Sequence, residues 1–257
     1  LRQDDGWVER GAAIGLAGNG DGMGQATMGM AASDFNGDGQ PDLFSTNFSA
    51  DTNTFLESVG DGFFADRTAV RGLGVNSRPL LGWSAQFGDV DLDGDEDLLF
   101  VNGHVYPHAT PNTMGSAWAQ PAVLMIRSFN RFVRDETFPS PDEQGRLAVL
   151  FDADGDHDLD VVTVTRDGAV NLTTAATLSK RGQGCTMRFP DILRGRRVQI
   201  TSGETTQVRW IPSGGGFQSS SPPVVHARVP SGSVVVQVDG LPAQTYEVAS
   251  DPRSRSV

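Results

Sequence analysis

Gly88-Asp-Val-Asp-Leu-Asp-Gly-Asp-Glu-Asp-Leu-Leu99 reads as an acidic turn feeding an apolar strand, and the chain carries the pattern three times. The other copies are Ser33-Asp-Phe-Asn-Gly-Asp-Gly-Gln-Pro-Asp-Leu-Phe44 and Phe151-Asp-Ala-Asp-Gly-Asp-His-Asp-Leu-Asp-Val-Val162. Counting from Asp34, Asp89 and Asp152, each loop places Asp or Asn at positions one, three, five and nine. The starts lie 55 and 63 residues apart, and a fixed period of this size marks a repeat architecture. An apolar run precedes each loop (Thr27–Ala32, Trp83–Phe87, Arg146–Leu150), and Gly60-Asp-Gly-Phe-Phe-Ala-Asp-Arg-Thr reads as a hairpin further round the unit. Four short strands per unit at this period are what a propeller blade needs. Asp5-Gly-Trp-Val-Glu-Arg resembles that hairpin, so the chain opens near the outer edge of a preceding unit. The expected fold is therefore all-β, a partial β-propeller of about three and a half four-stranded blades over residues 1–180. A solenoid or a β-sandwich is the alternative.

Side chains at alternate positions of a tight loop converge on one point. Four such oxygens and a backbone carbonyl from position seven approach the 6–8 hard ligands that Ca²⁺ prefers. The expected ligands are Asp34, Asn36, Asp38, Gln40 and Asp42; Asp89, Asp91, Asp93, Asp95 and Asp97; and Asp152, Asp154, Asp156, Asp158 and Asp160. Position six needs a sharp turn, which Gly39 and Gly94 supply and which His157 replaces in the third loop. Without a cation, carboxylates this close repel one another. These are not EF-hands, because position twelve holds Ser45, Phe100 and Thr163 rather than a bidentate Glu, and a strand follows. Zinc is disfavoured, since the loops lack Cys and their one His is expected to face away. Magnesium competes weakly because it demands a stricter octahedron. About three structural calcium ions are expected, at affinities suited to extracytoplasmic concentrations.

The loops also explain the charge. Their thirteen Asp account for more than the whole formal net charge of −12, so the rest of the 257-residue chain is nearly neutral. With no basic stripe to neutralise phosphates, nucleic acid is not an expected partner. The longest apolar runs, such as Ala122–Ile126 and Val161–Val164, are far too short to span a bilayer. The sequence opens on Leu1 with no signal pattern, and the expectation is a leader or longer N-terminal part that was removed or lies outside the sequence. Cys185 is the single cysteine and reads as a small buried hydrophobe. From Cys185 the loop motif stops. Val198–Ser202, Gln207–Ile211, Val224–Val229 and Val234–Val238 alternate polar and apolar residues between turns, as in a compact β-sandwich-like module over residues 185–257. Ser213–Pro223 reads as a mobile Gly/Ser-rich loop.

The chain resembles the FG-GAP/VCBS-repeat β-propellers of the ASPIC/UnbV (cartilage acidic protein-like) family. The residues that carry the resemblance are Gly22-Met-Gly-Gln-Ala, the loop beginning at Asp34, Gly60-Asp-Gly-Phe-Phe-Ala-Asp-Arg-Thr, Leu81-Gly-Trp-Ser-Ala and Val101-Asn-Gly-His-Val-Tyr-Pro. Gly203-Glu-Thr-Thr-Gln-Val-Arg and Ser213-Gly-Gly-Gly-Phe-Gln-Ser-Ser resemble that family's C-terminal module. The resemblance implies an integrin-like, extracytoplasmic calcium-binding propeller, periplasmic, secreted or at the cell surface. It assigns the family's loop ligands to positions one, three, five and nine of each loop. His157 and the stretch Leu172–Arg194 depart from the pattern.

Propellers close with roughly 4–8 blades, and an open ring leaves strand edges that template association. The expectation is a part-propeller that serves as a structural or protein-interaction subunit. Its partner would be another protein, such as a membrane complex at its periplasmic face. An adhesion or ligand-binding module is the second reading. An enzyme is the third: no nucleophile or phosphate-binding motif is present, and the best catalytic candidates are His104 and His108 flanking Tyr106. For these the bland alternative is a structural turn after the strand Leu98–Val101. Trp83, Trp118 and Phe129 are expected to pack between blades.

Overall fold

The computed structural model describes residues 2–3, 6–174, 183–214, 221–229 and 232–248. Two short strands, β1 (Arg2–Gln3) and β2 (Gly6–Trp7), pair antiparallel at the start. A four-stranded meander follows, with β3 (Met30–Ser33), β4 (Asp42–Ser45), β5 (Thr54–Ser58) and β6 (Phe64–Asp66) in sequential order. A second meander has the same layout: β7 (Gly82–Gly88), β8 (Asp97–Asn102), β9 (Val123–Ser128) and β10 (Arg131–Arg134). The third sheet, β11 (Gly145–Phe151), β12 (Asp160–Thr165) and β13 (Val170–Thr173), holds three strands among the described residues rather than the expected four. The fold is all-β and partly propeller-like, and helix is confined to single turns such as Gly74–Ser77 and Pro111–Met114.

In each of the sheets that begin at β3, β7 and β11 the acidic loop joins the first strand to the second. The first strands of successive sheets lie side by side, β3 against β7 and β7 against β11. Blade two is covered on both faces, so all six residues of β8 are buried. Between Asp97 and Asn102 its sequence accordingly runs continuously apolar instead of alternating. The core lies between the blades. Phe35, Phe44, Phe55, Phe87, Phe100 and Phe132 fill the space between the first two sheets, with ring pairs such as Phe35–Phe55 at 5.5 Å in edge-to-face geometry. Val90, Leu99, Val101, Leu124, Ala148, Leu159 and Val161 do the same between the second and third. The first two blades meet so closely that a Cβ at Gly29 would sit 2.1 Å from the Trp83 carbonyl oxygen, so only glycine fits there.

The C-terminal residues form two further sheets. One pairs β14 (Gly184–Arg188) with β17 (Val224–Arg228). The other contains β15 (Arg197–Ser202), β16 (Thr205–Trp210), β18 (Gly232–Val238) and β19 (Gln244–Val248) in the order β16-β15-β18-β19. Val198, Ile200, Val225, Ala227, Val234 and Val236 make their common core, against which Cys185 packs. Most of the Ser213–Pro223 stretch, residues 215–220, lies outside the described residues. No described helix is long and apolar enough to cross a membrane.

Of the three aromatic expectations, that for Trp83 holds and that for Phe129 does not. Trp83 is covered by the Arg146 guanidinium at 4.2 Å and donates its indole N–H to Gly103 O at 2.7 Å. Trp118 lies within the fold, its Nε1 buried. Phe129, however, takes φ 55° at the tip of the β9–β10 hairpin and is 89% exposed, so it packs between no blades. The turn geometry, not the size of the ring, decides where it points.

Candidate metal centres

The three loops are built by one hydrogen-bond scheme. At position one, Asp34, Asp89 and Asp152 each accept from the backbone N–H of position six, at 3.0, 2.9 and 3.0 Å. At position three, Asn36, Asp91 and Asp154 accept from the N–H of position five, at 3.0, 3.2 and 3.2 Å. At position five, Asp38, Asp93 and Asp156 accept from position seven, at 2.7, 2.9 and 3.0 Å. Short polar side chains that bond their own backbone two residues on are what fold such turns. The scheme requires left-handed backbone at positions four and six. Gly37 and Gly39 supply it in the first loop, Leu92 (φ 58°) and Gly94 in the second, Gly155 and His157 (φ 67°) in the third. His157 thus takes the conformation of the glycine it replaces. Its ring does not face away: Nδ1 lies 3.5 Å from Asp152 Oδ2.

Position nine has a different task. One carboxylate oxygen of Asp42, Asp97 and Asp160 accepts from the N–H of position two (Phe35, Val90 and Ala153) at 2.8, 3.0 and 2.8 Å. The other oxygen reaches the third strand, where Asp42 accepts from Ser58 N at 2.7 Å and Asp97 from Arg127 N at 2.8 Å. The fourth side chain of the sequence pattern therefore staples the loop to its blade. Position seven is also split. The Asp95 carboxylate pairs with Arg127 at 3.2 Å, which points it at a neighbouring strand and leaves its backbone carbonyl as what it can offer a loop centre. Asp158 is buried and Gln40 exposed.

Carboxylates converge nonetheless. Oxygens of Asp89, Asp91 and Asp97, all buried, lie within 4.8 Å of one another, as do those of Asp152, Asp154 and Asp156. Burial pushes the carboxyl of Asp89 up to about 7 and that of Asp42 up to about 6. It raises Asp34, Glu96 and Asp97 as well. Asp34 Oδ1 is buried with no hydrogen-bond partner. An orphaned carboxylate oxygen of this kind carries a desolvation penalty that a cation would remove. The donor set is all oxygen, as a hard divalent ion requires.

Sequence reasoning missed the groups that face the loops from the C-terminal module. Arg197 donates to Gly39 O at 3.2 Å, Arg209 to Gly94 O at 3.0 Å and Arg228 to Asp93 O at 3.1 Å, while the His226 ring contacts His157 O. Arg209 Nη2 also lies 4.0 Å from Asp89 Oδ2, and its Nε 3.5 Å from Glu96 Oε1. A signal was present in β16, where Gln207 and Arg209 occupy the buried face of an alternating strand. A charge at an inward position asks for a partner. Between the module and the inner strands lies a cavity of about 560 Å³.

The histidine pair after β8 is tied into the fold. Both ring nitrogens of buried His104 are engaged, Nε2 with Ser49 Oγ at 3.1 Å and Nδ1 with Tyr106 N at 3.2 Å, and burial lowers its pKa. His108 stacks on Tyr106 at 5.8 Å. The side chains hold the turn that crosses from the second blade to the first.

The FG-GAP-like repeat family matches residues 34–100, from the first acidic loop into β8. Repeats of this class are typically extracellular and occur in integrin-like adhesion or ligand-binding modules. A comparison with curated proteins returns no match.

Proposed function

We propose that the chain is an extracytoplasmic, calcium-braced part-propeller that acts as a structural and protein-interaction subunit. The observation that carries the reading is the meeting of Asp89, Asp91 and Asp97 in a buried space within 4.8 Å. Three carboxylates cannot share such a space as anions without a compensating charge. In this reading Asp89, Asp91 and Asp93 hold the second ion, Asp34, Asn36 and Asp38 the first, and Asp152, Asp154 and Asp156 the third. The position-nine aspartates Asp42, Asp97 and Asp160 anchor each loop, and the carbonyls of Gln40, Asp95 and Asp158 complete the oxygen set. A bound ion supplies positive charge at the loop centre. The chain's own contribution is a backbone already folded around it.

The role as an interaction subunit draws on the FG-GAP-like match and on the absence of a catalytic constellation from the sequence motifs. A protein partner, such as a membrane complex at its periplasmic face, suits a propeller with open edges. Assignment of the C-terminal module to the ASPIC/UnbV class rests on the Gly203–Arg209 and Ser213–Ser220 motifs. An adhesion or ligand-binding module is the second reading, favoured by where such repeats occur. Isothermal titration of the full chain with Ca²⁺ tests the loops; no heat of binding up to millimolar calcium would remove them. Native mass analysis of material purified from its source tests the subunit role, since a lone monomer would speak against it.

A further inference from the structure

Each acidic loop turns the carbonyl of its sixth residue toward the C-terminal module, and a module side chain meets each of these carbonyls. Arg197 meets Gly39, Arg209 meets Gly94 and His226 meets His157. Their electrical character differs. The Arg197 guanidinium is engaged by Asp239 at 3.2 Å. The His226 imidazole is buried and held neutral, its pKa lowered to about 4 by burial. Arg228 also reaches the second loop, donating to the Asp93 carbonyl at 3.1 Å, while Arg209 directs its charge at carboxylates, 4.0 Å from Asp89 and 3.5 Å from Glu96, and is itself 6% exposed.

Resting on the reading of the loops as cation sites, we propose that Arg209 is a resident counter-charge in the second loop, so that cation occupancy there and docking of the C-terminal module oppose each other. A divalent ion on Asp89 would stand a few ångströms from the guanidinium, and like charges at that range in a buried setting repel strongly. Shared ordering would give the opposite sign, because a loop rigidified by one ligand is easier for the other to bind. The loop is already fixed by its own hydrogen bonds: Asp89 accepts from Asp93 N at 3.0 Å and from Gly94 N at 2.9 Å, and Asp97 from Val90 N at 3.0 Å. Little common ordering remains, and the charge decides. Coupling of this kind is reciprocal: what Arg209 takes from ion affinity, the ion takes from docking. The module would then loosen as calcium rises and tighten as it falls.

The test compares calcium titrations of the full chain as wild type, Arg209→Met and Arg209→Lys, with Asp91→Asn identifying the second-loop site. The Met variant should bind calcium there at least ~10-fold more tightly, about 1.4 kcal/mol, while the Lys variant stays within about threefold of wild type. An unchanged or weaker site in the Met variant overturns the proposal and leaves the loops as cation sites. Equal tightening in the Lys variant overturns it too, since packing and not charge would be responsible. No calcium binding to wild type overturns both. Should the Met variant fail to fold, hydrogen exchange of the wild-type β16 and β17 amides decides. Faster exchange with calcium than with chelator supports the proposal, and equal or slower exchange overturns it.

Discussion

Raising the pH of the chelated protein from 5 to 8 should cost it several kcal/mol of stability, and calcium should restore them. The perturbation acts on Asp89 and Asp42, whose carboxyls burial lifts from 3.8 to about 7 and about 6. A carboxyl with a raised folded pKa binds its proton more tightly in the native state. Its contribution is therefore complete below the unfolded value near 3.8 and disappears as pH climbs through the folded value. At 1.36 kcal/mol per pH unit, Asp89 alone would lose on the order of 4 kcal/mol between about pH 4 and 7, and Asp42 about 3 kcal/mol. About 4 kcal/mol of this loss falls above pH 5, and for a chain of this size each kcal/mol moves the midpoint by roughly 2–4 °C, so the chelated protein should melt about 8–16 °C lower at pH 8 than at pH 5. Calcium binds the ionised form, so in excess calcium the same scan should be flat or rise with pH. Differential scanning calorimetry at four pH values, in EDTA and in calcium, reads this directly. Superimposable EDTA and calcium curves, or a chelated midpoint indifferent to pH, would refute the reasoning.

The stapling and ligating aspartates should separate by mutation. Asp97→Ala leaves the buried amide of Val90 and the part-buried amide of Arg127 without their acceptor and should cost about 2–5 kcal/mol in urea denaturation, with or without chelator. Asp91→Asn should weaken calcium binding while leaving the chelated midpoint unchanged or higher, because it removes one of the repelling charges. Gly184→Ala would set a Cβ 1.8 Å from His157 O; limited proteolysis should show the third loop and β14 parted, and stability should fall by about 1–3 kcal/mol. His157→Gly relieves a left-handed residue at φ 67° and should raise chelated stability by up to about 1 kcal/mol, with thermal melts as the check.

What could be read from the sequence followed the local rules. The loops, the strands entering and leaving them and four of the six described strands of the C-terminal module were legible because each is written in consecutive residues, as acid spacing, apolar runs or alternation. The strand expected at Val198–Ser202 is β15 (Arg197–Ser202), and that at Gln207–Ile211 overlaps β16 (Thr205–Trp210). The double duty of Asp42 and Asp97 was not legible, since their second partners, Ser58 and Arg127, stand 16 and 30 residues away. The placement of Arg209 over Gly94 joins residues 115 apart, a distance over which composition and spacing carry no register. Phe129 misled for the opposite reason: its size argued for burial, while a hairpin tip two residues beyond Arg127 set its direction.

Phe35, the second residue of the first loop, lies between the guanidinium groups of Arg71 at 4.6 Å and Arg127 at 4.3 Å. Arg127 belongs to the second blade and also holds Asp95 of the second loop. The unit that repeats in sequence is thus not the unit that folds, because each apolar layer is shared by two neighbours. Duplication or loss of one blade would have to carry a whole seam with it. Severing the chain at a repeat boundary would bare Phe44, Phe87 and Phe100 at once, so lineages can lengthen or shorten this array only where both faces of the joint change together.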